Sequence, residues 1–213
     1  VFGNINLIVL LQSSLQGVCE LATFHVPFPL LAVVCFFPAR AKCLQVLVVG
    51  DSHVRRMAEV SEPALTNMLR EVTVTFLHKG GEGVRFLWQL PTDEHFDIVV
   101  FAVGSNNLAN GMTPEELFKR LNFHAKRILD AGLCRKVVMM GMWPRADSKF
   151  NKAMRVFNKF KSTDRERVVF WRWSHHLRYR ILPDRTHLQK RCYRRAVKYL
   201  CSPILYVIKY LFK

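Results

Sequence analysis

Four short stretches carry side chains whose types and spacing could do chemistry. Gly50-Asp51-Ser52-His53 puts a hydroxyl directly after an apolar run, Leu44 to Val49. Gly80-Gly81-Glu82-Gly83 is a glycine-rich turn, where a backbone N–H can approach a substrate closely. Gly104-Ser105-Asn106-Asn107 offers a side-chain amide. Asp184-Arg185-Thr186-His187 sets a carboxylate and an imidazole three residues apart, so that one turn can present both to the same cleft. Acyl transfer by serine needs these parts: a hydroxyl, a base within reach, a group that orients the base, and donors aimed at the developing oxyanion. Ser52 is the candidate nucleophile, Gly81 and Asn106 are candidate donors, and Asp184 and His187 are the candidate acid–base pair.

The elements between these stretches must position them. Residues 44–49 and 96–104 are short, nearly continuous apolar runs, as expected of parallel strands covered on both faces. Residues 71–78 alternate apolar and polar side chains and are rich in β-branched types, which predicts a strand. Further strands are predicted at 136–143, ended by Pro144, and at 167–173. Helices are expected at 53–69, interrupted near Pro63, at 84–90, at 149–161 and from just beyond His187 to about Leu200. Thr113-Pro114-Glu115-Glu116 is a clear helix start: a threonine cap, proline at the first position and acids in the first turn. That helix runs to Asp130 with Leu117, Leu121, Ala125, Ile128 and Leu129 on one face. Five strands alternating with helices predict an α/β fold, a three-layer doubly wound sheet of about five parallel strands. A flavodoxin-like order 2-1-3-4-5 gathers all four stretches at the C-terminal ends of the strands, where open α/β sheets bind ligands.

A chain of 213 residues, half of them hydrophobic, can bury a sizeable core. Residues 1–42 read as an apolar N-terminal extension, 43–201 as the α/β domain and 202–213 as an apolar, basic tail. Neither apolar stretch of the extension reaches the ~18–20 residues of a membrane span, and no basic region precedes the first. The expectation is an intracellular protein. Six cysteines without C-x-x-C spacing argue against a zinc site or a disulfide framework and fit reduced thiols. Formal net charge is +16. Between Lys152 and Lys198 there are 15 Lys and Arg against three acids. Such a surface attracts nucleic acid or an anionic membrane, or is simply a solvated basic face.

The four stretches, in order and each at a predicted strand end, resemble the blocks of the SGNH (GDSL-type) hydrolases: GDSH for block one, GGEG for block two, GSNN for block three and DRTH for block five. The likeness spans about residues 43–200. It implies a serine esterase or acylhydrolase that needs no metal or organic cofactor and takes a small ester substrate. By the same resemblance Ser52 is the nucleophile, His187 the base and then the acid, and Asp184 the orienting group. The backbone N–H groups of Ser52 and Gly81 and the amide of Asn106 form the oxyanion hole. Two positions depart from the pattern. Block three usually reads G-x-N-D, whereas position 107 is Asn; if the family's aspartate mainly holds its loop by hydrogen bonds, Asn107 can do part of that work, and if its charge matters, activity falls. The usual Leu of block one is His53, at a position that commonly varies in the family and so carries little weight. Block two leaves open which of Gly80, Gly81 and Gly83 contributes to the hole. A narrower resemblance, through GDS-x-V-R-R and a GTN-type block three, is to the short SGNH domains of some animal non-LTR retrotransposons.

Each residue also has a plainer reading. Ser52 could cap a helix, Asn106 could close a turn, and His187 could be a surface histidine. His175-His176 reads as a polar loop, since adjacent histidines point apart. Trp171 and Trp173 could line an acyl pocket but fit core packing better. Arg55 and Arg56 read as a solvated helix face. The alternative to an esterase is a binding module on the same scaffold that uses its basic surface on nucleic acid or anionic lipid. A nucleotide-binding flavodoxin-like domain fits less well, because no G-x-G-x-x-G or Walker-type loop follows the first strand.

Overall fold

The computed structural model describes residues 7–12, 19–24, 43–61, 69, 71–162, 164, 166–172, 181–184 and 186–211. The chain forms two compact units, Val1–Arg40 and Ala41–Lys213. In the first, strands β1 (Leu7–Gln12) and β2 (Cys19–Phe24) pair antiparallel, with Leu7 opposite Phe24. Trp173, His175 and His176 lie outside the described residues.

The second unit holds a five-stranded, all-parallel sheet. Its strands are β3 (Leu44–Gly50), β4 (Val72–His78), β5 (Phe96–Ala102), β6 (Cys134–Met140) and β7 (Val168–Trp171), in the order β4-β3-β5-β6-β7. This is the order 2-1-3-4-5 expected from the sequence. The connecting elements are α1 (Ser52–Ala58), a 3₁₀ helix at Val84–Gln89, α2 (Ser105–Ala109), α3 (Pro114–Asp130), α4 (Ser148–Phe157) and α5 (Lys190–Leu211).

Alternate residues of the central strands feed two separate cores. Leu47, Val49, Val99, Phe101, Val137 and Met139 meet the apolar faces of α3 and α4. Val46, Val48, Ile98, Val100, Val138 and Met140 meet α1 and α5. Each fully buried aliphatic or Met side chain contributes about 1.5–3 kcal/mol relative to leaving it in water. Strands flanked by helix layers on both faces explain why β3 and β5 are apolar almost throughout.

α3 starts as expected: Thr113 Oγ1 accepts from Glu116 N–H, and all five predicted core positions are buried. Strand β6 begins two residues earlier than expected and ends at Met140, leaving Gly141 to Arg145 as a loop. The helix expected to stop near Leu200 continues through Pro203 to Leu211, so residues 202–211 are helix and not a separate tail. Val197, Leu200, Cys201, Ile204 and Val207 bury one continuous face, which outweighs the hydrogen bond that Pro203 cannot donate. Of the described cysteines, Cys134, Cys192 and Cys201 are buried and Cys43 is exposed. Burial pushes the Cys134 thiol up to about 12. Among the described residues no helix is long and apolar enough to cross a membrane, and no cluster of potential metal ligands occurs.

Candidate active site

Strand β3 delivers Ser52 to the first position of α1. The helix is capped by Asp51, whose Oδ1 accepts from His53 N–H at 2.9 Å, so the capping residue is the neighbour of Ser52 and not Ser52 itself. The Ser52 side chain points elsewhere. Its Oγ lies 2.8 Å from His187 Nε2. His187 Nδ1 lies 2.7 Å from Asp184 Oδ2. An ionised carboxylate can only accept, so Nδ1–H donates to Asp184, Nε2 is left as the acceptor, and Ser52 O–H donates to it.

Asp184 is held by its own turn. Its Oδ1 accepts from the backbone N–H groups of Thr186 and His187, at 3.0 and 2.8 Å. These bonds and the one from the His187 ring hold its carboxyl well below the usual carboxylate range. It stays ionised at any pH where the imidazole can act as a base.

Asn106 sits in α2. Its Nδ2 donates to Glu82 O at 2.9 Å, which ties block three to the turn after β4. Its Oδ1 accepts from Arg145 Nη2 at 2.9 Å. These two partners determine which end of the amide is oxygen. They leave the second Nδ2 hydrogen with no acceptor among the described residues. Gly81 lies in the same turn as Glu82, with φ +77°, a backbone setting open to glycine.

Gly83 has a different duty. A Cβ there would stand 2.2 Å from Asn107 Oδ1. That oxygen accepts from Val84 N–H at 2.8 Å. Asn107 thus holds the start of the 3₁₀ helix through its amide oxygen.

Two functional positions escape sequence reasoning. The first is Arg145, in the loop after β6. One nitrogen, Nη2, donates to both Asn106 Oδ1 and Ser105 Oγ, each at 2.9 Å. Ser105 O–H in turn donates to Asp51 Oδ2 at 2.8 Å. A single guanidinium thus links Asp51, the cap of α1, through Ser105 to the amide of Asn106. The arginine is itself clamped. Asn151 accepts from its N–H and donates to its C=O, and its guanidinium lies 4.8 Å from the centre of the Phe150 ring. Asn158 grips Met142 N–H and C=O in the same way. No motif advertises this arginine; the W-P-R turn followed by Asn151 on α4 and Asn158 at its C-cap is the signal that could have found it.

The second is His53, treated above as an unremarkable substitution for Leu. It is buried, with its ring 5.3 Å from that of His187 and 5.0 Å from that of Trp143. Its Nδ1 shares a 2.8 Å hydrogen bond with Tyr193 Oη, which also accepts from Leu188 N–H. Burial lowers its pKa to about 4 despite the nearby Asp51, so it is neutral at pH 7. It forms a wall behind His187. Arg56 also departs from the solvated reading: it is half-buried and its Nε is enclosed, whereas Arg55 is exposed and pairs loosely with Glu59 at 4.0 Å. Trp171 is half-buried at the far edge of the sheet.

The site is open. Asp184 is exposed and His187 half-buried. Asp51, His53, Ser105 and Trp143 border a cavity of about 20 Å³, enough for about one water molecule.

A five-stranded parallel sheet with this order, flanked by helices, is the fold of solved SGNH (GDSL-type) esterases. The psychrotrophic esterase EstA from Pseudoalteromonas sp. superposes with a TM-score of 0.58 at 14% identity, over 79% of this chain and 99% of its own. TesA gives 0.55 at 18% identity, over 76% and 97%. A member of the lipolytic G-D-S-L family from Veillonella parvula gives 0.54 at 14% identity, over 73% and 94%. At these identities the likeness is one of fold. No family model matches the sequence, and no curated protein is similar to it.

Proposed function

We propose that the protein is an SGNH-type serine hydrolase that cleaves a carboxylic ester through a covalent acyl-enzyme. The observation that carries this reading is the unbroken chain of hydrogen bonds Ser52–His187–Asp184, 2.8 and 2.7 Å long, at the C-terminal edge of β3. A capping serine or a stray surface histidine would not need it.

Ser52 Oγ attacks the ester carbonyl as its proton passes to His187 Nε2. Asp184 holds the imidazole in the accepting tautomer and stabilises the imidazolium. The negative charge on the carbonyl oxygen is met by the free Nδ2–H of Asn106 and by backbone N–H groups of Ser52 and Gly81. His187 then returns the proton to the departing alkoxide. Water, activated by the same histidine, releases the acid and restores Ser52. Arg145 acts as a positioning residue: it keeps the oxygen of Asn106 turned away and the N–H turned inward. The reaction needs no metal. The stretch GDSHVRR supports placing the chain beside the short SGNH domains of non-LTR retrotransposons.

The test is hydrolysis of a short-chain nitrophenyl ester. Wild type should turn over. Ser52→Ala and His187→Ala should each lose at least about a thousandfold in kcat/KM, since a nucleophile and its base act as one unit. Turnover that survives Ser52→Ala would end the assignment.

A further inference from the structure

At the far edge of the sheet lies a groove of about 1010 Å³. No member of the Ser52–His187–Asp184 chain lines it. It is formed by β7, the residues leading into that strand, and the second half of α5. β7 pairs with β6 on one side and is the terminal strand on the other.

Two kinds of side chain dominate the lining. The first is aromatic. Trp171 and Tyr206 have ring centres 5.5 Å apart, and Tyr206 and Tyr210 4.8 Å apart, so the three rings form a row along the groove. Tyr206 and Tyr210 are 44% and 48% exposed, which is unusual for rings this large on a helix with a fully buried face. The second is cationic. Among the described residues, Lys136, Lys161 and Arg172 line the groove against a single acid, Glu166. Lys136 and Arg172 are anchored by backbone carbonyls, those of Glu166 and Lys159 respectively. Helix α5 adds six Lys and Arg and no acid.

Half-exposed rings and cations lining one groove fit a ligand that has both flat apolar faces and negative charges. A protein partner fits less well, because lysine is depleted from interface cores. A membrane surface fits less well too: interfacial binding calls for an outward apolar face, and these rings line a concavity. In a duplex the bases are stacked on one another and offer no faces to tyrosine. We propose that the groove binds single-stranded nucleic acid, with Tyr206 and Tyr210 stacking on bases and Lys136, Lys161 and Arg172 contacting phosphates. This goes beyond esterase activity and does not depend on it.

The test is fluorescence anisotropy of the full chain with a labelled 12-mer of oligo(dT), repeated with oligo(rU). Replacing Tyr206 and Tyr210 together by Ala should weaken binding at least about fivefold, the low end for losing base stacking. The melting temperature and nitrophenyl ester hydrolysis of that variant should stay near wild type. Lys161→Glu with Arg172→Glu, two exposed positions, gives a second reading that does not touch the helix packing and should weaken binding as well. Three phosphate contacts predict a loss of roughly 20-fold between 50 and 200 mM salt. Ser52→Ala should bind as wild type does. The proposal is overturned if both sets of variants bind as wild type, or if a duplex of the same length binds as tightly. It is also overturned if phosphatidylserine vesicles are held in a tyrosine-dependent way while the oligonucleotide is not.

Discussion

Arg145→Met should disable the oxyanion site without touching the substrate. The guanidinium makes two charge-assisted hydrogen bonds from one nitrogen, to Asn106 Oδ1 and Ser105 Oγ, both 2.9 Å. A bond of this kind is worth about 1.5–3 kcal/mol. Without it the Asn106 amide is held only through its bond to Glu82 O and can rotate its remaining N–H out of line. If between two-thirds and all of the bond's worth is expressed in the transition state, kcat falls about 5- to 150-fold. The ceiling is the roughly 10²–10³ cost of losing an oxyanion donor outright. KM should change by less than about threefold, because Nη2 contacts protein groups. The backbone clamp from Asn151 survives the substitution, so the loop should hold its course. Arg145→Lys should behave almost as badly, since an ammonium cannot reproduce the planar, two-pronged geometry. The decisive assay is a double-mutant cycle with Asn106→Ala, read in kcat for a nitrophenyl ester. If the arginine acts through the asparagine, Arg145→Met costs little once Asn106 is gone, and the coupling is at least about 1 kcal/mol. Strictly additive effects, or a single variant within twofold of wild type, would refute the reasoning.

Asn107→Asp should leave kcat within about twofold of wild type, because either side chain offers an oxygen to Val84 N–H, whereas Asn107→Leu should lower both stability and kcat. Gly83→Ala should cost more in stability and activity than Gly80→Ala. An added Cβ meets Asn107 Oδ1 at 2.2 Å at position 83 and nothing within 4 Å at position 80; urea unfolding of the two variants decides it. His53 and His124 both have folded pKa values lowered to about 4, chiefly by burial. Their unfolded values are near 6.5, so the unfolded chain binds more protons between those limits, and stability should rise as pH climbs from about 4 to 6.5. For His53 alone this amounts to roughly 3 kcal/mol, and urea midpoints of His53→Leu should show a visibly flatter pH profile over that range. A profile identical to wild type would mean that His53 is protonated in the folded state. Asp184 acts in a lower window: its folded pKa is depressed, so its contribution is present above about pH 4 and fades only as the pH falls further.

Much of the fold was legible because buried parallel strands have little choice of composition. β3 and β5 must be apolar on both faces, and the Thr113-Pro114 start of α3 satisfies orphan N–H groups in a way few other sequences do. The positions of Ser52, Asp184 and His187 were legible for a different reason: strand ends in this topology converge, so separate motifs could be placed together before any distance was known. What stayed hidden depended on contacts between segments. Arg145 lies in a loop whose course is set by Asn151 and Asn158, and nothing local says that its side chain turns toward Asn106. His53 looked like a tolerated replacement because its partner, Tyr193, is 140 residues away. Pro203 reads as a helix end by local rules, and only the buried face from Val197 to Val207 overrides it. Gly83 and Gly81 are alike in sequence and unlike in space: one makes room for Asn107, the other takes a left-handed turn.

The central claim is that Ser52 is a nucleophile activated by His187 and Asp184. A fluorophosphonate probe tests it most directly, since it reacts with an activated serine and requires no knowledge of the natural ester. The account predicts stoichiometric labelling of the wild-type chain, with the adduct mapped by peptide mass spectrometry to Ser52. It also predicts strongly reduced labelling in His187→Ala and none in Ser52→Ala. Equal labelling of wild type and Ser52→Ala, or an adduct on another residue, would contradict it.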